Sequence, residues 1–161
     1  MDMPTCYVLI GPQGCGKSTW CQNNLESLND PVVISTDAYF DEIAERDGIS
    51  YAEAWGMHSY DDMVKRARIA LIRATMAERD IVIDQTNCTV VSRQLFRHNV
   101  PASYKMVGVV FEFAPSEICK RVYERGKATG KIIPMGAVIE KMQSFEHPLP
   151  KEFDEIVVVP Q

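Results

Sequence analysis

Five short apolar runs, at 5–10, 32–35, 81–84, 104–113 and 156–159, punctuate the chain. Each is nearly continuous and most are rich in β-branched residues, the pattern of a strand covered on both faces rather than one alternating between core and water. Between them the apolar positions recur at helical spacing, predicting helices over 17–28, from Thr36 onward, from Ser59 to near Glu78, from Thr89 to about Asn99, from Glu117 to about Gly126 and from Pro134 onward. The stripe Met63, Ala67, Ala70, Leu71, Ala74 and Ala77 is the longest of these and reads as scaffold. The stretch 46–58 has no sustained period, contains Gly48 and Gly56, and has Tyr51, Trp55 and Tyr60 in or beside it, which suits a flap.

Strands alternating with helices require a mainly parallel sheet with right-handed crossovers and helices on both faces. With 161 residues, 46% of them hydrophobic, the chain suits one domain over 1–161 with its own core, and a second catalytic domain has no room. The formal charge of −5 argues against a protein that coats nucleic acid non-specifically, while a local basic surface can still hold a polyanion. No run is long enough for a membrane span and residues 1–5 lack the form of a signal peptide, so a soluble, cytoplasmic protein with no membrane partner is expected. Cys6, Cys15, Cys21, Cys88 and Cys119 form no C-x-x-C, as expected of reduced thiols.

Chemistry enters where the first run stops. Gly11, Gly16, Lys17 and Ser18 satisfy G-x-x-x-x-G-K-[ST] between that strand and the first helix. Such a loop surrounds phosphate oxygens with backbone N–H groups, while its lysine reaches the β/γ-phosphates and its hydroxyl ligates Mg²⁺. Gly11, Gln13, Gly14, Cys15, Gly16, Lys17, Ser18 and Thr19 are therefore candidate ATP-binding residues, with Ser18 also a Mg²⁺ ligand. The expected fold is α/β, a kinase-like P-loop NTPase with a three-layer α/β/α sandwich and a mainly parallel five-stranded sheet.

Phosphoryl transfer needs a triphosphate cradle, Mg²⁺, a base for the acceptor and cations on the migrating group. Asp37 follows the second strand at its carboxyl end, where open α/β sheets bind ligands, and can take a proton from an attacking hydroxyl; the competing reading is a helix cap. Asp84 ends the third strand as the acid of a Walker B element does. It either contacts Mg²⁺ or orients the acceptor, or is a structural strand-end carboxylate. Thr86 and Asn87 bind substrate or turn the chain, and Gln85 beside them is a further candidate substrate contact. Arg121 and Arg125 share a helix face, and with Lys120, Lys127 and Lys131 they form a basic cluster running into the glycine-punctuated stretch 126–131, a mobile lid able to clamp the γ-phosphoryl group. Pairing of Glu117 with Arg121 would account for one of these residues only. Trp55 and Tyr51 either stack on a base or lie in the core.

Gly11 to Trp20, Ile34-Ser-Thr-Asp-Ala-Tyr39, Ile83-Asp-Gln-Thr-Asn87, Lys120-Arg-Val-Tyr-Glu-Arg-Gly126 and Ile133-Pro134 occur in the order found in the kinase domain of bacteriophage polynucleotide 5′-hydroxyl kinases, which the chain resembles throughout. The stretch 145–154 also resembles related ATP-dependent kinases, including those of DNA end repair. The resemblance implies that Lys17 and Ser18 bind ATP and Mg²⁺, that Asp37 is the general base, and that Arg125, supported by Arg121, stabilises the transferring group, with a nucleic acid bearing a free 5′-hydroxyl as substrate. Two departures touch the acceptor: Phe40 stands where those enzymes hold the acceptor phosphate with an arginine, and Gln85 replaces the aspartate before Thr-Asn. Acceptor binding is then expected to lean on stacking, with Phe40, Trp55, Gln85, Thr86 and Asn87 as candidate substrate contacts. Without a phosphatase domain, no action on 3′-phosphates is expected. A small-molecule, nucleoside or modified-base kinase and an ATP-binding regulatory module are the alternatives.

Overall fold

The structure, a computed structural model, describes residues 2–161. Its strands are β1 (Thr5–Ile10), β2 (Val32–Ile34), β3 (Ile81–Asp84), β4 (Lys105–Phe111) and β5 (Glu155–Val159), and its helices α1 (Lys17–Asn24), α2 (Thr36–Asp47), α3 (Tyr51–Met57), α4 (Tyr60–Met76), α5 (Val90–Arg97), α6 (Pro115–Thr129) and α7 (Met135–Gln143). The strands form one sheet in the order β2-β3-β1-β4-β5, every neighbouring pair parallel. Val8 of β1 sits between Ile83 and Gly108, so the strand leading into the glycine loop is at the centre of the sheet.

Side chains of successive strand residues point to opposite faces, and the core divides accordingly. Cys6, Val8, Ile10, Ile81, Ile83, Met106 and Val110 pack with residues of α2, α3, α4 and α5. Leu9, Val82, Val107, Val109 and Phe111 pack with α6, α7 and partly buried residues of α1. The three-layer kinase-like P-loop architecture expected from the alternating pattern is therefore present. The first helix gives way to a 3-10 turn, Leu25–Ser27, before residue 28.

Three local expectations change. The stretch 46–58 is not irregular: it contains α3, which Ser50 and Glu53 start with a capping box, the serine hydroxyl accepting from Glu53 N–H while the Glu53 carboxylate accepts from Ser50 N–H. Its periodicity is hidden because Tyr51 and Trp55 pack sideways on one another and on Phe40 instead of forming an aliphatic stripe. The α6 helix runs through Gly126, which is buried and helical, and ends at Gly130, whose φ of 74° supplies the left-handed cap. The irregular part of the basic segment is thus confined to 130–134. Finally, β5 is not a buried strand. It lies at the sheet edge with Val158 55% exposed, because a run of valines states strand propensity and not what covers it.

A buried ion pair fixes the C-terminal segment to the sheet's helical layer. Arg93 donates from Nε and Nη2 to the Glu152 carboxylate at 2.9 and 3.1 Å, and from Nη1 to the carbonyls of Asn87 and Glu146, with the two side chains 1% and 5% exposed. Burial by itself would raise the Glu152 carboxyl; hydrogen bonds from Arg93 and Leu149 N–H outweigh it and hold the group below the usual carboxylate range.

Candidate active site

The glycine loop leaves β1 at Gly11, whose N–H donates to the Thr86 carbonyl at 2.9 Å and ties it to the turn after β3. The chain enters α1 at Gly16 with φ 112°, a conformation that L side chains rarely adopt and that glycine adopts freely. Gly16 has no side chain with which to cap the helix, and the first turn holds no acid. The N–H groups of Lys17, Ser18 and Thr19 therefore have neither an intrahelical acceptor nor a side-chain cap, and the helix dipole favours an anion there. Gly11 lacks a side chain for a reason: a Cβ there would lie 2.5 Å from the Sγ of Cys15, which packs against it.

Lys17 Nζ donates to the carbonyls of Gly11 at 2.7 Å and Pro12 at 3.1 Å, which folds the cation back across the loop. Gln13 Oε1 is the one buried side-chain polar atom without a partner among the described residues, an acceptor suited to a ligand that brings its own donor. Arg121 reaches the same loop: its Nη1 donates to the Gly14 carbonyl at 3.3 Å while its Nε pairs with Glu117 at 3.1 Å. The Glu117 pairing is therefore present, and it leaves the same guanidinium touching the glycine loop. Arg125 lies one turn further along α6, and no side-chain partner is found for its guanidinium among the described residues.

Asp37 stands in the first turn of α2, where Ser35, not Asp37, is the cap: its hydroxyl accepts from Ala38 N–H at 3.2 Å. The Asp37 carboxylate instead accepts a hydrogen bond from the Tyr51 hydroxyl, 2.9 Å from Oδ1. Asp84, at the carboxyl end of β3, has its carboxyl pushed up by burial and by the negative charge of Asp37, against the lowering influence of Lys17 and Lys131. Asp84 thus lies within reach of the charges of Lys17, Asp37 and Lys131. No group of three or more His, Cys, Asp or Glu side chains suited to a metal occurs among the described residues. Magnesium is commonly held by one or two protein oxygens with the remaining ligands from phosphate and water, and Ser18 with Asp84 fits that pattern. The N–H-rich, uncapped start of α1 fits a nucleotide's phosphates in the same way.

The candidate substrate contacts divide. Gln85 exchanges hydrogen bonds with the buried Thr36 hydroxyl at 3.0 and 3.1 Å, and Thr86 contributes its carbonyl to Gly11. Asn87 is withdrawn as a substrate contact: it is buried with φ 49°, its Nδ2 donates to the Leu9 carbonyl at 2.7 Å, and it serves the turn. Phe40 is also withdrawn. It is fully buried, stacked on Trp55 at 4.4 Å between centroids, and offers no face to a ligand. Trp55 is 40% exposed and stacks again on Tyr60.

Sequence reasoning missed Lys131 as a bridge. Its Nζ binds the Asp41 carboxylate at 2.9 and 3.2 Å and sits 4.2 Å from the Tyr51 ring centroid, so the loop after α6 docks on α2 and α3. The only hint was that Asp41 lies four residues, one helical turn, after Asp37. No helix among the described residues is long and apolar enough to cross a membrane.

A model of the AAA domain family matches residues 7–148. No curated protein matches the chain. Among solved structures, one in the Pnkp1/Rnl/Hen1 RNA repair complex superimposes with a TM-score of 0.71 at 23% identity, covering 89% of this chain and 44% of that one. The chain thus spans less than half of that relative. A putative kinase from Chloroflexus aurantiacus gives 0.72 at 12% identity, with 99% and 89% covered. A gluconokinase from Sinorhizobium meliloti gives 0.58 at 18% identity, with 99% and 84% covered.

Proposed function

The chain belongs to the AAA domain family, and on that premise we propose that it is an ATP-dependent phosphotransferase whose acceptor is a nucleic-acid hydroxyl, a polynucleotide 5′-hydroxyl above all. One observation carries the transferase reading: Asp84 feels the charges of both the phosphate-loop lysine and Asp37, and Asp37 is held by a tyrosine instead of capping its helix. In this reading the backbone from Gln13 to Ser18 and Lys17 hold the triphosphate, Ser18 and Asp84 hold Mg²⁺, Asp37 accepts the acceptor's proton, and Arg125, with Arg121 beside the loop, meets the charge of the migrating group. ATP with Mg²⁺ supplies the phosphoryl group and neutralises its charge when bound. The acceptor class rests on the sequence resemblance and is supported by the likeness to a member of an RNA repair complex.

A small-molecule kinase is the second reading. It is favoured by the burial of Phe40, which leaves that position without a cation for an acceptor phosphate, and by the near-full-length likeness to a gluconokinase. The test is transfer from labelled ATP, with Mg²⁺, to a 5′-hydroxyl oligonucleotide, a nucleoside, a nucleoside 3′-phosphate and gluconate in parallel. The proposal expects the oligonucleotide to have the highest kcat/KM; preference for gluconate or the bare nucleoside would replace it with the second reading.

A further inference from the structure

We infer that Tyr51 is the positioning residue for Asp37, and that Lys131 couples this hold to the segment carrying the phosphoryl-binding arginines. The inference rests on the kinase reading above, with Asp37 as base. Tyr51 is the first residue of α3, and the Ser50–Glu53 capping box fixes the backbone from which it projects. Its ring meets Phe40 at 75° and Trp55 at 63°, each 6.3 Å between centroids, while the Lys131 ammonium lies 4.2 Å from its own centroid. A ring enclosed by two aromatics and a cation has little freedom to swing its hydroxyl away.

The polarity of the contact follows from the surroundings. Burial, then the adjacent Asp37 charge, raises the Tyr51 hydroxyl well above the ordinary phenol range, so it stays protonated and donates to Asp37 Oδ1. Asp37 Oδ2 accepts no hydrogen bond among the described residues and is left as the basic atom. In the transfer step Asp37 Oδ2 receives the proton of the attacking hydroxyl as its oxygen bonds to the γ-phosphorus and the bond to the ADP oxygen breaks, the electron pair leaving with ADP. Lys131 follows α6 directly, and Asp41, to which it pairs, is one turn beyond Asp37 on α2. Docking of that loop therefore presses on the same aromatic ring that orients the base.

The test is a mutant cycle in the full chain, with ATP, Mg²⁺ and the acceptor that wild type uses. Tyr51→Phe keeps the ring and its packing and removes the hydroxyl. Its kcat is expected to fall about tenfold, a fraction of what a well-positioned base contributes, with KM for ATP unchanged. In an Asp37→Asn background the same change should cost nothing further, because the hydroxyl acts only through the carboxylate. Lys131→Gln, which leaves Tyr51 in place, should lower kcat a few-fold. Full activity of Tyr51→Phe, or an undiminished loss in the Asp37→Asn background, overturns the inference while leaving the kinase reading intact. A wild-type protein that transfers phosphate to no acceptor overturns both.

Discussion

Asp84 carries the clearest conflict between folding and chemistry at the level of single residues. Burial and the neighbouring Asp37 charge raise its carboxyl above the usual range, so the ionised form that a metal requires is the one the folded chain disfavours. For a carboxyl raised by folding, the penalty grows as pH rises through the unfolded value towards the folded one, then stays constant. Asp84→Asn removes that penalty. The variant should melt a few degrees higher than wild type near pH 7 and show no such gain near pH 3, where both forms are neutral. Its Mg²⁺-supported transfer should fall at the same time. A lower melting point at neutral pH would show instead that the carboxylate is held by contacts that stabilise the fold. The loop's place between strand and helix, and the strand-end positions of both acids, were legible from local order, because Gly16 and Lys17 act through backbone conformation and the apolar runs mark where the strands stop. Tyr51 as the partner of Asp37 was not, since fourteen residues separate them and only the packing of α3 on α2 brings them together.

Among the elements, periodicity located every strand and most helices, and failed where side chains act across elements. The α3 helix hid behind aromatic packing, and α6 was cut short at Gly126 because a glycine inside a helix looks like its end. Phe40 illustrates the same limit: read by position it faced an acceptor, yet it is fully buried against Trp55, and a cation introduced there would be buried too. The Arg93–Glu152 pair was invisible to any local pattern because fifty-nine residues separate its members. Glu152→Ala leaves the Arg93 charge buried without its partner and should cost about 3 kcal/mol in denaturant unfolding at pH 7. The Glu152 carboxyl lies below the usual range, so its contribution is present above the unfolded value and is lost as pH falls through the folded one. Wild type should therefore lose stability more steeply than Glu152→Ala below about pH 4. Equal acid sensitivity of the two proteins would mean that Arg93 is satisfied by the Asn87 and Glu146 carbonyls alone.

At the scale of the whole molecule, the acidic balance of −5 and the placement of cations on α6 and the loop after it agree with a protein that grips phosphate at one site rather than along a polyanion. The parallel sheet places the glycine loop, Asp37 and Asp84 at or just beyond the carboxyl ends of the neighbouring strands β1, β2 and β3, the edge at which open α/β sheets bind ligands. The most direct measurement is single-turnover transfer of the γ-phosphate of ATP to a 5′-hydroxyl oligonucleotide by wild type and Asp37→Asn, with ATP affinity determined for each. Transfer by wild type, a loss of about 10²-fold or more in the variant and unchanged ATP affinity are predicted. Absence of transfer by wild type, or an Asp37→Asn variant that transfers at the wild-type rate, would contradict the account.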